Sequence, residues 1–141
     1  NRPEEEITPA IRGQWRNQFG DCGIGLVMGT RFPDGTTLGA VDVDHDDYVR
    51  IAAAALGNPP SGRIGRKGIV HFVRVAGTPK YIECRVKGPK AEGYGKVAEF
   101  LFGPRFCVLP PTLHPDTAAP YRWIGKPLLD THFEELPIVE M

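Results

Sequence analysis

Two aspartates separated by a single valine are the first residues in this 141-residue chain whose types and spacing could do chemistry. Asp42 and Asp44 lie in Val41-Asp-Val-Asp44, a strict apolar–acidic alternation. Side chains along a strand alternate faces. Both carboxylates therefore project from one face, roughly 7 Å apart at about 3.3 Å rise per residue, while Val41 and Val43 point to the core. Carboxylates held side by side repel and lose hydration unless positive charge sits between them. A hard divalent cation such as Mg²⁺ or Mn²⁺, which prefers oxygen ligands, meets that need. A strand end running into a solvated, acidic helix cap would produce the same letters, so the pattern alone leaves both readings open.

A third acid stands out by its surroundings. Glu99 sits among apolar neighbours in Lys96-Val-Ala-Glu-Phe-Leu-Phe102, a costly place for a carboxylate unless it is paired or metal-bound. Cations are supplied by Ser61-Gly-Arg-Ile-Gly-Arg-Lys-Gly68, read as a glycine-rich loop whose backbone N–H groups can close on phosphate oxygens. It lacks the Gly-Lys-Ser/Thr ending of a P-loop. Arg63, Arg66 and Lys67 give it charge. His71 falls within an apolar strand, where packing is the commoner role. His114 falls in Pro110-Pro-Thr-Leu-His-Pro115, a segment held extended by its prolines.

The elements that must position these residues follow from periodicity and turn chemistry. Residues 4–19 predict a helix with Ile7, Ala10, Ile11, Trp15 and Phe19 on its apolar stripe, Pro9 requiring the regular turns to begin near it. Ile24–Met28 is a short strand, and a turn through Pro33-Asp-Gly35 makes it the antiparallel neighbour of the Asp42/Asp44 strand. Asp46 or Asp47 caps a helix to about Leu56. Ile69–Val75 and Lys80–Val86 read as a hairpin, Lys96–Phe102, Phe106–Leu109 and Tyr121–Ile124 as strands, and Asp130–Leu136 as a terminal helix. The order is that of an α+β domain with a mostly antiparallel sheet and flanking helices.

Composition is that of a single globular domain, with 41% hydrophobic and 24% charged residues. The chain begins at Asn1, and a longer parent protein is expected. The formal net charge of zero hides an asymmetry: residues 1–60 carry −4, residues 61–90 +7 and residues 91–141 −3. A basic middle between acidic ends suits a polyanion beside a carboxylate-held metal. The three cysteines, Cys22, Cys84 and Cys107, have no zinc-like spacing and fit a reducing compartment. No run reaches the length of a membrane span.

With these residues in place, the chain resembles the bifunctional DNA primase/polymerase domain of the archaeo-eukaryotic primase superfamily, over roughly residues 10–137. The resemblance rests on Trp15 through Phe19 with Asp21-Cys-Gly-Ile-Gly-Leu-Val-Met-Gly29, on Val41-Asp-Val-Asp44, and on Gly65-Arg-Lys-Gly-Ile-Val-His-Phe-Val-Arg74. It rests most of all on Val97-Ala-Glu-Phe-Leu101, then Cys107-Val-Leu-Pro-Pro-Thr-Leu-His-Pro-Asp-Thr117 and Tyr121-Arg-Trp123. One departure is the middle motif, Gly68-Ile-Val-His71 where the family commonly has Gly-x-His. One extra residue on a strand reverses the face of the histidine.

The resemblance implies an RRM-like catalytic core and template-directed nucleotidyl transfer. Asp42, Asp44 and Glu99 would hold two Mg²⁺ or Mn²⁺ ions. Arg66, Lys67, His71, Arg74 and His114 would hold the incoming dNTP or NTP. Arg63, Lys80, Arg85 and Lys87 would contact the DNA template and primer through phosphates. It further implies a cytoplasmic replication protein of a bacterium, archaeon, plasmid or phage, with a fused or associated helicase and no membrane partner. Two other classes share parts of the pattern: a non-catalytic nucleic-acid-binding module of a replication initiator, and a metal-dependent nuclease or phosphohydrolase. Against the first, RRM-type platforms read bases with exposed aromatics, whereas three acids repel phosphate.

Overall fold

The computed structural model describes residues 8–78, 81–86 and 95–141. Helix α1 runs Pro9–Phe19, with the Thr8 side chain accepting from the Ile11 N–H and a proline in its first turn, where the missing N–H costs nothing. Residues 4–7 of the predicted helix lie outside the described residues. Helix α2 runs Asp46–Ala55 and is capped by His45, one residue before the aspartates expected to do it; Asp46 and Asp47 instead fill its first turn, where negative charge meets the positive end of the helix.

The strands are β1 (Ile24–Val27), β2 (Thr37–Val43), β3 (Ser61–Ile64), β4 (Ile69–Ala76), β5 (Glu83–Arg85), β6 (Lys96–Leu101), β7 (Phe106–Leu109), β8 (Arg122–Gly125) and β9 (Ile138–Glu140). The main sheet has the order β5-β6-β2-β4-β3-β8, with β9 parallel to the end of β4. All other pairings are antiparallel. The domain is α+β, as the sequence predicts.

Alternation along β2 and β4 gives the sheet two apolar faces. Val41, Val43, Ile69, Val73, Val75 and Ala98 pack under α2, against Tyr48, Val49, Ala52 and Leu56. Leu38, Ala40, Val70, Phe72 and Leu101 pack on the other side against Cys107 and Leu109 of a separate β1–β7 ribbon and Met28 just beyond it. Asp42, two residues beyond Ala40 on β2, lies on that same side of the sheet.

Two pairings and one helix differ from the sequence reading. Strand β1 pairs with β7 over four residues, not with β2; the turn between them is pinned locally by Asp34, which accepts from the Thr36 N–H and hydroxyl. The segment expected to form a hairpin with β4 pairs with β6 instead, because β2 occupies one edge of β4 and β3 and β9 the other. The terminal helix is two single turns, Leu128–Asp130 and Phe133–Glu135. Buried Leu128 and Leu136 anchor them, and Pro137 bars a longer helix.

Candidate active site

Register places the acids. Asp42 pairs with Glu99 across β2 and β6, and Glu99 pairs with Glu83 across β6 and β5. Residues opposite each other in an antiparallel pair share a face, so these carboxylates form a row on the ribbon side of the sheet. Asp44 follows at the end of β2 and lines the same cleft as Asp42. Burial pushes the Asp42 carboxyl up to about 6, with Asp44 and Glu99 adding to the rise and Arg63 and Lys96 opposing it.

The cations come from the segment after α2. Its first half is strand β3, not loop, and Arg63 stands opposite Val70 on one side and Trp123 on the other. Arg63 is thereby on the acidic face, its guanidinium 4.5 Å from the centre of the Tyr121 ring. The remaining turn, Gly65–Gly68, folds back over the end of β2. At Gly68 φ is +62°, a side chain would run into the Val43 carbonyl oxygen, and the N–H donates to Asp46 Oδ1 at 2.6 Å; only glycine meets these three conditions. Gly65 lies so close to Tyr121 that a methyl group there would strike the ring.

The far wall is the proline-rich segment. Thr112 Oγ1 accepts from the Ile24 N–H at 2.7 Å and ties this segment to β1. His114 Nδ1 accepts from the Asp116 N–H, and its ring packs 5.3 Å from that of Tyr121. Asp116 reaches back to Arg66 at 3.7 Å. The result is an open, polar cleft of about 240 Å³ lined by Asp42, Asp44, Arg63, Arg66, Lys67, His114 and Tyr121.

Hard-cation chemistry fits part of this arrangement. Asp42 and Asp44 offer only oxygen, the donor a hard cation prefers, and the buried Asp44 Oδ2 already has a cation against it. Its close cation is Lys96, whose Nζ lies 3.2 Å from Asp44 Oδ2 and 3.1 Å from Glu99 Oε2. Burial works against the Lys96 ammonium, but its contacts with Glu99 and Asp44 outweigh that and raise its pKa. Glu99 also accepts from the Tyr81 hydroxyl at 2.9 Å. As placed, no three His, Cys, Asp or Glu side chains among the described residues enclose a common metal position.

Three of the sequence candidates lie elsewhere. His71 pairs with Val41 and so points to the α2 side, 5% exposed, away from the cleft; the extra residue after Gly68 does reverse its face, and no bulge restores it. Arg74 shares the acidic face but lies four residues further along β4. There it donates to Asp34 and to the carbonyls of Leu136 and Glu134. Arg85 is on β5, ion-paired with Glu83. Lys80 and Lys87 lie outside the described residues. Arg63, expected to meet DNA, lines the cleft. Tyr121 and Lys96 were missed. Tyr121 had a signal in the Tyr-x-Trp motif. Lys96 had none, since an odd spacing from Glu99 puts the two on opposite faces of a regular strand; its position at the first residue of β6 lets the long side chain reach round.

No helix among the described residues is long and apolar enough to cross a membrane. No curated protein and no solved structure matches the chain. The family described as "Bifunctional DNA primase/polymerase, N-terminal" matches residues 4–139, and so takes in every strand and helix that builds the cleft. A match of that extent, over a fold whose acids and proline-rich wall meet in one place, settles the family: the chain belongs to the bifunctional DNA primase/polymerase N-terminal domains.

Proposed function

We propose that this domain adds nucleotides to the 3′ end of a primer on a DNA template, with the triphosphate seated in the Asp42–Tyr121 cleft. The observation that carries the reading is the meeting of two unlike charges in one small cleft: Asp42 and Asp44 on one wall, Arg63, Arg66 and Lys67 on another. The two sets neutralise each other only in part: Arg63 acts on Asp42 through space and Arg66 pairs with Asp116, Asp44 is met by Lys96 from β6, and Lys67 has no ion pair among the described residues. A triphosphate with its divalent cation carries the complementary charges.

Asp42 and Asp44 would hold a Mg²⁺ or Mn²⁺ ion, with Glu99 the third acid on the face; such ions lower the pKa of an attacking hydroxyl and neutralise charge on a leaving pyrophosphate. Arg66 and Lys67 sit on a turn that Gly68 locks against β2, so their charges are presented to phosphate oxygens without a large ordering cost. Arg63 is held by its stack on Tyr121, which leaves its N–H groups directed by a rigid ring. Tyr121 and His114 form the rigid far wall against which a nucleoside would rest. Primer and template would approach by phosphate contacts, without base readout.

The test is a labelled primer on a longer template, incubated with the domain, Mn²⁺ or Mg²⁺, and dNTPs or NTPs. Extension that disappears in Asp42→Ala and Asp44→Ala supports the reading. Shortening of the labelled strand would reassign the site to a nuclease, and an unchanged strand with DNA bound would reassign the domain to a binding module.

A further inference from the structure

Lys96 occupies the junction between two of the three acids, within ion-pair distance of both Asp44 Oδ2 and Glu99 Oε2. Its side chain is about one third exposed, as is that of Asp44, while that of Glu99 is one fifth exposed. An ammonium tethered at that point neutralises the like-charge repulsion that would otherwise open the β2–β6 end of the site. It also sits on the two carboxylates that must turn inward before they can share a divalent cation.

We propose that Lys96 is a built-in counter-ion that a divalent cation must displace from Asp44 and Glu99, so that this lysine sets the cation concentration at which the site fills. The inference rests on the reading of these acids as metal ligands. The surroundings provide for the displaced ammonium. Glu83, itself ion-paired with Arg85, stands directly across from Glu99 on β5, and the Tyr81 hydroxyl lies within hydrogen-bond distance of both acids, with one proton to give to either. Lys96 can therefore swing toward the strand edge and share Glu83 with Arg85 rather than lose all contact with negative charge. Tyr81, its ring covered by the Arg105 guanidinium at 4.5 Å, acts as the positioning residue that keeps Glu99 and Glu83 within reach of one another.

The experiment is a calorimetric titration of the full chain with MnCl₂, without nucleotide, for the wild type, Lys96→Met, Lys96→Arg and Asp42→Asn. Lys96→Met should bind Mn²⁺ roughly tenfold more tightly, the order expected on removing two partly exposed ion pairs, with Lys96→Arg near the wild type. Equal affinities for wild type and Lys96→Met would overturn the role of Lys96 while leaving the metal site intact. Binding that Asp42→Asn does not weaken would overturn the metal reading itself, and the inference with it. A second measurement needs no variant: the ammonium resonance of Lys96, followed by NMR during MgCl₂ titration of the wild type. It should shift in step with the calorimetric binding curve; a signal unmoved at saturation overturns the proposal even if Lys96→Met fails to fold.

Discussion

Asp42 and Glu99 face each other directly across β2 and β6, an acid-to-acid pair in the interior of a sheet. Like charges directly opposite destabilise a sheet, and here burial adds to the effect by pushing the Asp42 carboxyl up to about 6. A pKa raised in the folded state means that folding favours the protonated acid. The stability it contributes is complete below about pH 3.8 and is lost as pH rises through about 6. At neutral pH Asp42 is therefore ionised at the expense of the fold, by about 2 kcal/mol once the openness of the cleft is allowed for. Asp42→Asn should abolish nucleotide incorporation and yet raise Tm at pH 7.5 without divalent cations, by something on the order of 5 °C. A lower Tm in that variant would show that the carboxylate is stabilised in the cleft rather than strained.

The same protonation governs cation binding. A ligand carboxylate must be ionised to bind, so cation uptake releases a proton wherever the acid is still protonated. Mn²⁺ should raise the Tm of the wild type far more at pH 8 than at pH 5, with the change centred near pH 6. Calorimetry at pH 6 in buffers of different ionisation enthalpy should record proton release. A thermal shift independent of pH across this range would remove Asp42 from the ligand set.

Lys67 and Arg74 separate binding from architecture. Lys67 lines the cleft; Arg74 is 12% exposed and bound to Asp34 and two carbonyls that fasten the C-terminal turns and the Thr30–Thr37 turn to β4. Lys67→Ala should weaken nucleotide binding more than DNA binding and leave Tm nearly unchanged. Arg74→Ala should lower Tm by several degrees, since it orphans the carbonyl of buried Leu136, and leave the nucleotide Kd within about twofold. Fluorescence titration with a labelled nucleotide and a thermal melt read both quantities, and an exchange of the two phenotypes would refute the assignment.

Much of this site is legible in the letters because strand alternation is strict. Val-Asp-Val-Asp fixes the common face of Asp42 and Asp44, and a glutamate between Ala98 and Phe100 announces its own cost. What the letters withhold is pairing. Nothing in Ile24–Val27 says that β7, eighty residues later, outcompetes the nearby β2, or that β5 joins β6; these choices are made by which strand edges remain open after the central strands have paired. Lys96 was hidden for a related reason. Side-chain reach at a strand end overrides the period of two for Lys96, and Tyr81 and Glu83 become neighbours of Glu99 only through the β5–β6 edge.

His71 tests the register itself. Its ring is buried on the α2 side opposite Val41, neither ring nitrogen has a hydrogen-bond partner among the described residues, and burial lowers its pKa. A depressed histidine pKa supports folding above the unfolded value of about 6.5, and that support is lost as pH falls through the folded value. Replacing such a ring with an apolar side chain of similar reach removes unpaired polar atoms from the core, a change that is neutral or stabilising when the shape is kept. His71→Leu should therefore hold or raise Tm at pH 7.5, resist acid below pH 6.5 better than the wild type, and leave nucleotide affinity unchanged. A slip of one residue between β2 and β4 would turn the ring into the cleft beside Lys67. In that case His71→Leu would weaken nucleotide binding severalfold with little effect on Tm, and the register of Asp42 opposite Val70 would have to be abandoned.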